Sequence, residues 1–289
     1  MKNAKYVNVD GVRTRYFEGG SGEALVLIHG GHFGNYYCAD HWGLNFDELC
    51  RSFHVVALDK LGQGFTDNPK GNADYTMGAT IEHVYEFLRA AGINRATLLG
   101  HSRGALPAVR IAVDHPEMVK AVVILDSNTV AADDPSTPKD FYKKLDENPP
   151  PVPDREFVCR EPKANSYSSD HITDDFAEAM LKIALLPKID EARKKMLNSL
   201  ESQFLDSVQE KKYETLRLIK ERRLKAPTLI VWGLNDPSAP LSLGIALLQL
   251  IGSVVDRTRL HVLNHAGHYV FREHPQELNR LIVDFVKNL

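Results

Sequence analysis

Two regimes of apolar and polar positions run along this chain. Tyr6 to Val9 and Arg13 to Phe17 alternate around Asp10-Gly11, the pattern of a hairpin at a sheet edge. Later runs are almost continuously apolar: Ala24 to Ile28, Phe53 to Leu58, Ala96 to Leu99 and Val119 to Leu125. Runs of this kind suit strands covered on both faces. Between them, Tyr75 to Ala91 carries Ile81, Val84, Tyr85 and Leu88 at helical spacing, and Gly92 stops it. Ala105 to Val113 predicts a second helix, closed by His115-Pro116. Strand and helix alternate, so the expected sheet is mainly parallel with helices on both faces.

After Asp126 the pattern breaks. Residues 130–224 are rich in charge and proline and show no buried strand. Pro149-Pro150-Pro151-Val152-Pro153 predicts a stiff extended segment. Ile172 to Leu186, Ile189 to Phe204 and Val208 to Arg223 have helical periodicity. Strand patterning resumes at Pro227 to Trp232. A helix at Leu241 to Ile251, a last strand at Leu260 to Leu263 and a closing helix at Pro275 to Val286 follow. The organisation expected is a core in two parts, 1–129 and 225–289, interrupted by a helical cap at 130–224. A separate helical domain is the alternative, and the return of the strands argues against it.

Composition narrows the class. The 289 residues are 43% hydrophobic and 25% charged, ordinary values for a globular enzyme, with a formal net charge of −3. No basic face is implied, so nucleic acid is not an expected partner. Cys38, Cys50 and Cys159 lack paired metal-ligand spacing and suit reduced thiols. The N-terminus lacks the apolar core of a signal peptide, and no apolar run reaches membrane-spanning length. The expectation is a cytoplasmic protein with a small-molecule substrate, no membrane partner, no cofactor and no metal. Association into a homo-oligomer is left open.

The candidate chemistry centres on Gly100-His101-Ser102-Arg103-Gly104, a G-x-S-x-G turn between a strand and a helix. Such a turn holds the serine on a strained backbone so that its hydroxyl projects into a site, and side chains at the glycines would collide with neighbouring elements. A serine needs a base, and the base needs an acid behind it. The order Ser102, Asp236, His268 supplies both, each later residue lying just beyond a strand. Asp126 is the alternative acid, and His265 is the nearest rival to His268. Asp59 is expected to tie down its own turn. Two backbone N–H groups should face the developing oxyanion: that of Arg103, after the nucleophile, and that of Gly31 in His29-Gly30-Gly31-His32.

These residues resemble the α/β-hydrolase superfamily, over nearly the whole chain outside the cap. Within it, the chain is most similar to the meta-cleavage product hydrolases, which cut a carbon–carbon bond in ring-fission products of aromatic degradation. His29-Gly30-Gly31, Ala57 to Gly64, Val231-Trp232-Gly233 with Asp236, and Leu260 through Gly267-His268 carry the likeness, with Glu273-His274-Pro275 and Phe285. The resemblance implies an α/β-hydrolase fold and a serine-type hydrolase of 2-hydroxy-6-oxo-dienoates. An esterase or lactonase with the same triad and a non-catalytic small-molecule receptor are the other readings. It also implies substrate contacts at His32, His101, Arg103 and Tyr269. Three departures stand out. The family's elbow is Gly-Asn-Ser-hydrophobic-Gly, where this chain has His101 and Arg103. The residue after the histidine is usually Trp, here Tyr269. The family's carboxylate-holding cap arginine falls near Met180, with Arg103 and Arg193 as substitutes. The Arg103 side chain is read either as part of a structural ion pair or as the partner of a substrate carboxylate.

Overall fold

One eight-stranded sheet is built from β1 (Lys5–Val9), β2 (Val12–Gly19), β3 (Ala24–Ile28), β4 (His54–Leu58), β5 (Ala96–His101), β6 (Val119–Leu125), β7 (Thr228–Gly233) and β8 (Thr258–Leu263), in the order β1-β2-β4-β3-β5-β6-β7-β8. The computed structural model describes every residue except Lys2, Lys139 and Asp146. β1 and β2 form the expected antiparallel edge, β2 meets β4 antiparallel, and every later pairing is parallel. The continuous apolar runs are explained by two cores, one on each face. Val26, Ile28, Leu98, Val122 and Ile230 point to one core, and Leu25, Leu27, Leu99, Val123 and Val231 to the other. Neighbours along each strand alternate between them, as the two-residue strand period requires.

Helices Met77–Ala90 and Ala105–Asp114 connect the parallel strands. The first is opened by Thr76, whose side chain accepts the Ala79 N–H. Helices Leu241–Gly252 and Pro275–Lys287 complete the layers. Between β6 and β7 the described residues hold helices and no strand.

Two details of that helical segment differ from the sequence pattern. The break placed near residues 205–207 is absent, because helix Glu201–Lys220 runs through it and buries Phe204, Val208, Leu216 and Ile219. A π-helical turn, Met196–Leu200, joins it to Pro187–Lys195 instead. Helix Arg155–Ala164 forms despite an internal Pro162. A proline there costs about 3 kcal/mol. Asp154 caps the Phe157 N–H, and burial of Phe157, Val158 and Cys159 offsets that cost. Cys38, Cys50 and Cys159 are free thiols. Among the described residues no helix is long and apolar enough to cross a membrane.

Candidate active site

The parallel strands deliver their carboxyl ends to one rim of the sheet, where open α/β sheets place their sites. β5 ends there in the elbow. Ser102 takes φ +51°, a left-handed value that a non-glycine residue holds only under constraint. The constraint is close packing. A Cβ on Gly100 would lie 2.4 Å from the Ala105 Cα, and one on Gly104 would lie 2.3 Å from the Ile28 carbonyl oxygen. The Ser127 hydroxyl donates to the Ser102 carbonyl at 2.7 Å and fixes the turn from the β6 side.

Asp236 follows β7. Its Oδ1 accepts the Ser238 and Ala239 N–H groups, both at 2.8 Å, which leaves Oδ2 aimed at His268 Nδ1, 2.7 Å away. His268 lies in the loop after β8, and its ring stands 4.8 Å from that of His101, the residue before Ser102. Its other nitrogen, Nε2, is buried without a hydrogen-bond partner among the described residues. Burial pulls the His268 pKa down, yet the Asp236 charge and hydrogen bond outweigh it and the value is raised above 6.5.

The alternative acid does something else. Asp126 is fully buried, accepts the Gly233 N–H at 2.7 Å, and has its pKa pushed well up by burial and by the Asp236 charge. His265 is exposed, stacks on Tyr167 at 4.9 Å and does not join the cluster. Asp59 holds more than its own turn. Besides the Phe65 N–H it accepts the Ala39 N–H, each at 2.7 Å, and Arg15 Nη2 at 3.2 Å, and it forms an ion pair with the Arg15 guanidinium.

The loop after β3 passes against the elbow. A Cβ on Gly30 would sit 3.0 Å from the Ser102 Cβ. Gly31 takes φ +77°, with the Tyr37 ring where its side chain would be. The Gly30 carbonyl is tied to His29 Nδ1 at 2.8 Å. Carbonyl and N–H point oppositely across a trans peptide, so this tie directs the Gly31 N–H away from His29. The next carbonyl, that of Gly31, accepts Lys60 Nζ at 3.2 Å. Lys60 is fully buried, and burial followed by the Arg103 charge pushes its pKa well below the ordinary value.

Two cavities flank this centre. One of about 610 Å³ is walled by Arg103, Thr129, Asp133, Gln209 and Lys212. Leu205, Val208 and Leu243 line its wall beside these polar groups. Lys212 and Asp133 pair there at 2.5 Å. The Arg103 guanidinium lies 5.9 Å from the ring centres of Tyr142 and Phe204. The other cavity, about 130 Å³, is lined by His32, Phe157, Ile189, Arg193 and Met196. Burial and the Arg103 charge push the His32 pKa down to about 3. Arg193 pairs with Asp190 at 2.9 Å. Met180 is fully buried in the core. Tyr269 is fully buried too, its hydroxyl against Glu161 and Tyr37. His101 donates from Nε2 to the His268 carbonyl at 2.8 Å, leaving Nδ1 unpartnered among the described residues. No cluster of three or more His, Cys, Asp or Glu side chains suited to a metal ion occurs among the described residues.

Sequence reasoning did not single out Lys60, Glu161, Asn165 or Tyr37. Only Lys60 carried a local signal, lying in the Asp59-to-Gly64 loop quoted for the family likeness.

Residues 23–275 match the alpha/beta hydrolase fold family, and the chain belongs to it. Its resemblance to the meta-cleavage product hydrolases spans nearly the whole chain. A 2-hydroxy-6-oxo-6-(2'-aminophenyl)hexa-2,4-dienoic acid hydrolase of Metapseudomonas resinovorans is 28% identical over 295 residues, covering 98% of this chain and 90% of that protein. A 2-hydroxymuconate semialdehyde hydrolase of Pseudomonas sp. (strain CF600) is 28% identical, covering 96% of this chain and 91% of that one. The crystal structure of a meta-cleavage product hydrolase from Pseudomonas fluorescens IP01, solved as a variant with acetates, superposes with a TM-score of 0.81 at 26% identity. It covers 98% of this chain and 97% of that one. This chain is a hydrolase of the α/β-hydrolase family.

Proposed function

We propose that the enzyme hydrolyses a carbon–carbon bond in a meta-ring-fission product of the 2-hydroxy-6-oxo-dienoate type, with Ser102, His268 and Asp236 as its triad. The observation that carries this reading is the 2.7 Å contact of His268 Nδ1 with Asp236, the His268 ring standing 4.8 Å from that of His101, which precedes a serine held at φ +51°. The substrate class rests on the names of the relatives, each matched over nearly the full chain.

His268 Nε2 takes the Ser102 proton while Oγ attacks the keto carbon. Asp236 fixes the imidazole and stabilises the imidazolium. The N–H groups of Gly31 and Arg103 receive the oxyanion. The substrate reacts as its 2-oxo tautomer, the C2 hydroxyl proton having moved to C5. Collapse breaks the C5–C6 bond, the electron pair passes to the C2 oxygen, and that dienolate oxygen takes the proton from His268. Water then releases the acyl group from Ser102, with His268 again as base. Residues 130–224 form a cap between core segments 1–129 and 225–289, and they shield the reaction from water. His32, His101, Arg103 and Tyr269 border the substrate. The experiment is a parallel assay of the purified protein on a ring-fission product and on p-nitrophenyl esters.

A second reading, an ester or lactone hydrolase with the same triad, is favoured by one observation. Met180, near the position where the resemblance implies a carboxylate-holding arginine, is a fully buried apolar side chain. Faster turnover of esters than of the dienoate in that assay supports it.

A further inference from the structure

Glu161 is a buried carboxylate that the mechanism leaves unused. It stands on helix Arg155–Ala164, is 7% exposed, and has no salt-bridge partner among the described residues. Its Oε2 accepts the Tyr269 hydroxyl at 2.5 Å and the Tyr37 hydroxyl at 2.7 Å, and its Oε1 accepts Asn165 Nδ2 at 2.7 Å. A buried carboxylate without a cation is costly unless donors surround it, and apolar replacement of buried ionic groups is often neutral or stabilising. Its partners suggest what it does here. Tyr269 directly follows His268. The Asn165 carbonyl accepts the His268 N–H at 2.7 Å. The loop of His268 runs so close that a Cβ on Gly267 would lie 2.6 Å from that carbonyl oxygen. From Asn165 a second path passes to Tyr142 at 3.2 Å, then to Ser238 at 3.3 Å, then to Asp236 at 3.1 Å. Helix Arg155–Ala164 is therefore hydrogen-bonded toward both the acid and the histidine. Glu273 locks the same junction, accepting the N–H groups of Tyr167, Ser168 and Gly267.

We infer that Glu161 is a positioning residue: it holds the His268 backbone through Asn165, holds Tyr269 directly, and so places a second carboxylate beside the residue that follows His268. The inference rests on the reading of His268 as the base. The groups facing His268 are Asp236 after β7, His101 at the end of β5, Arg103 beyond the elbow, Tyr269 beside it and Glu161 from the helix. Tyr37, Tyr269 and Tyr142 face Glu161 itself. Of these, the charges of Asp236 and Glu161 favour the imidazolium, while burial and Arg103 oppose it. A cation formed at His268 during attack on the carbonyl is therefore favoured by both carboxylates.

NMR titration of the His268 imidazole tests this without requiring turnover, with the His268→Ala spectrum assigning the resonance. Glu161→Gln should lower the titration midpoint. The same variant should reduce kcat on a p-nitrophenyl ester by up to about a hundredfold with KM little changed, the loss that a misplacement of about 1 Å can cause. Glu161→Asp, its charge drawn back by one methylene, should fall between and serves if the glutamine variant does not fold. An unchanged midpoint in a folded variant overturns the inference. A midpoint that moves while Ser102→Ala leaves turnover intact would uphold Glu161's hold on His268 and refute the triad.

Discussion

His268 and Asp236 meet through Nδ1 and Oδ2 at 2.7 Å, although they stand 32 positions apart in the chain. Asp126, at the end of the adjacent strand β6, instead holds the Gly233 N–H. The two aspartates thus divide the work: one faces the imidazole, and the other, its pKa raised, ties β6 to β7.

Exchange of the two acids should expose that division. Asp236→Asn, like Ser102→Ala and His268→Ala, should lower kcat by roughly 10⁴-fold, the usual loss for a triad member. Asp126→Asn should keep kcat within about tenfold, since an amide oxygen still accepts the Gly233 N–H. Steady-state kinetics on one ester substrate checks all four variants, with circular dichroism confirming that each is folded. Activity retained in Asp236→Asn but lost in Asp126→Asn would reverse the assignment.

The pH profile follows from the charge balance at His268. In the proposed mechanism His268 must be neutral to accept the serine proton, and Asp236 raises its pKa above 6.5 against the pull of burial. The acid limb of kcat/KM should therefore titrate above 6.5, with activity lost as pH falls through it. In Asp236→Asn the residual activity should titrate at lower pH. A limb below 6.5 in the wild type would contradict the placement of the Asp236 charge.

Glycine substitutions at the elbow should act through the backbone. Ala at Gly104 drives a Cβ against the Ile28 and His29 carbonyl oxygens at 2.3 and 2.5 Å, and neither atom belongs to a flexible side chain. Gly104→Ala should cost about 1–3 kcal/mol and lower Tm in a thermal melt. Gly43→Ala is the control, because nothing lies within 4 Å of the added methyl.

The Arg103 side chain lies on the wall of the larger cavity. If it receives a substrate carboxylate, Arg103→Met should raise KM for a carboxylate-bearing dienoate and leave a neutral ester nearly unaffected. If it serves the packing around Tyr142 and Phe204, both substrates should suffer alike and Tm should drop.

Much of the sheet was legible because each buried strand writes its own apolar run. Leu25 to Ile28 and Val55 to Leu58 have both faces covered, and both are continuous in the sequence. The elbow was legible for a similar reason: Gly100, Ser102 and Gly104 act within one turn. Residues that act across the fold left no such mark. Glu161 and Asn165 read as ordinary polar positions in a proline-rich stretch. Pro162 hid the helix that carries Glu161, since packing of Phe157 and Val158 overrode a local preference. The polar wall of the larger cavity was equally hidden, because Lys212 falls on the buried side of a helix whose pattern is set by Phe204, Val208 and Leu216.

The most direct measurement is absorbance of a 2-hydroxy-6-oxo-6-phenylhexa-2,4-dienoate solution mixed with the wild-type enzyme and with Ser102→Ala, with products identified by mass spectrometry. The account predicts decay of the dienolate chromophore in the wild type and formation of a five-carbon hydroxydienoate and benzoate in equal amounts. No product should form in Ser102→Ala. A chromophore that persists while p-nitrophenyl esters are hydrolysed, or equal product yields from the two proteins, would contradict it.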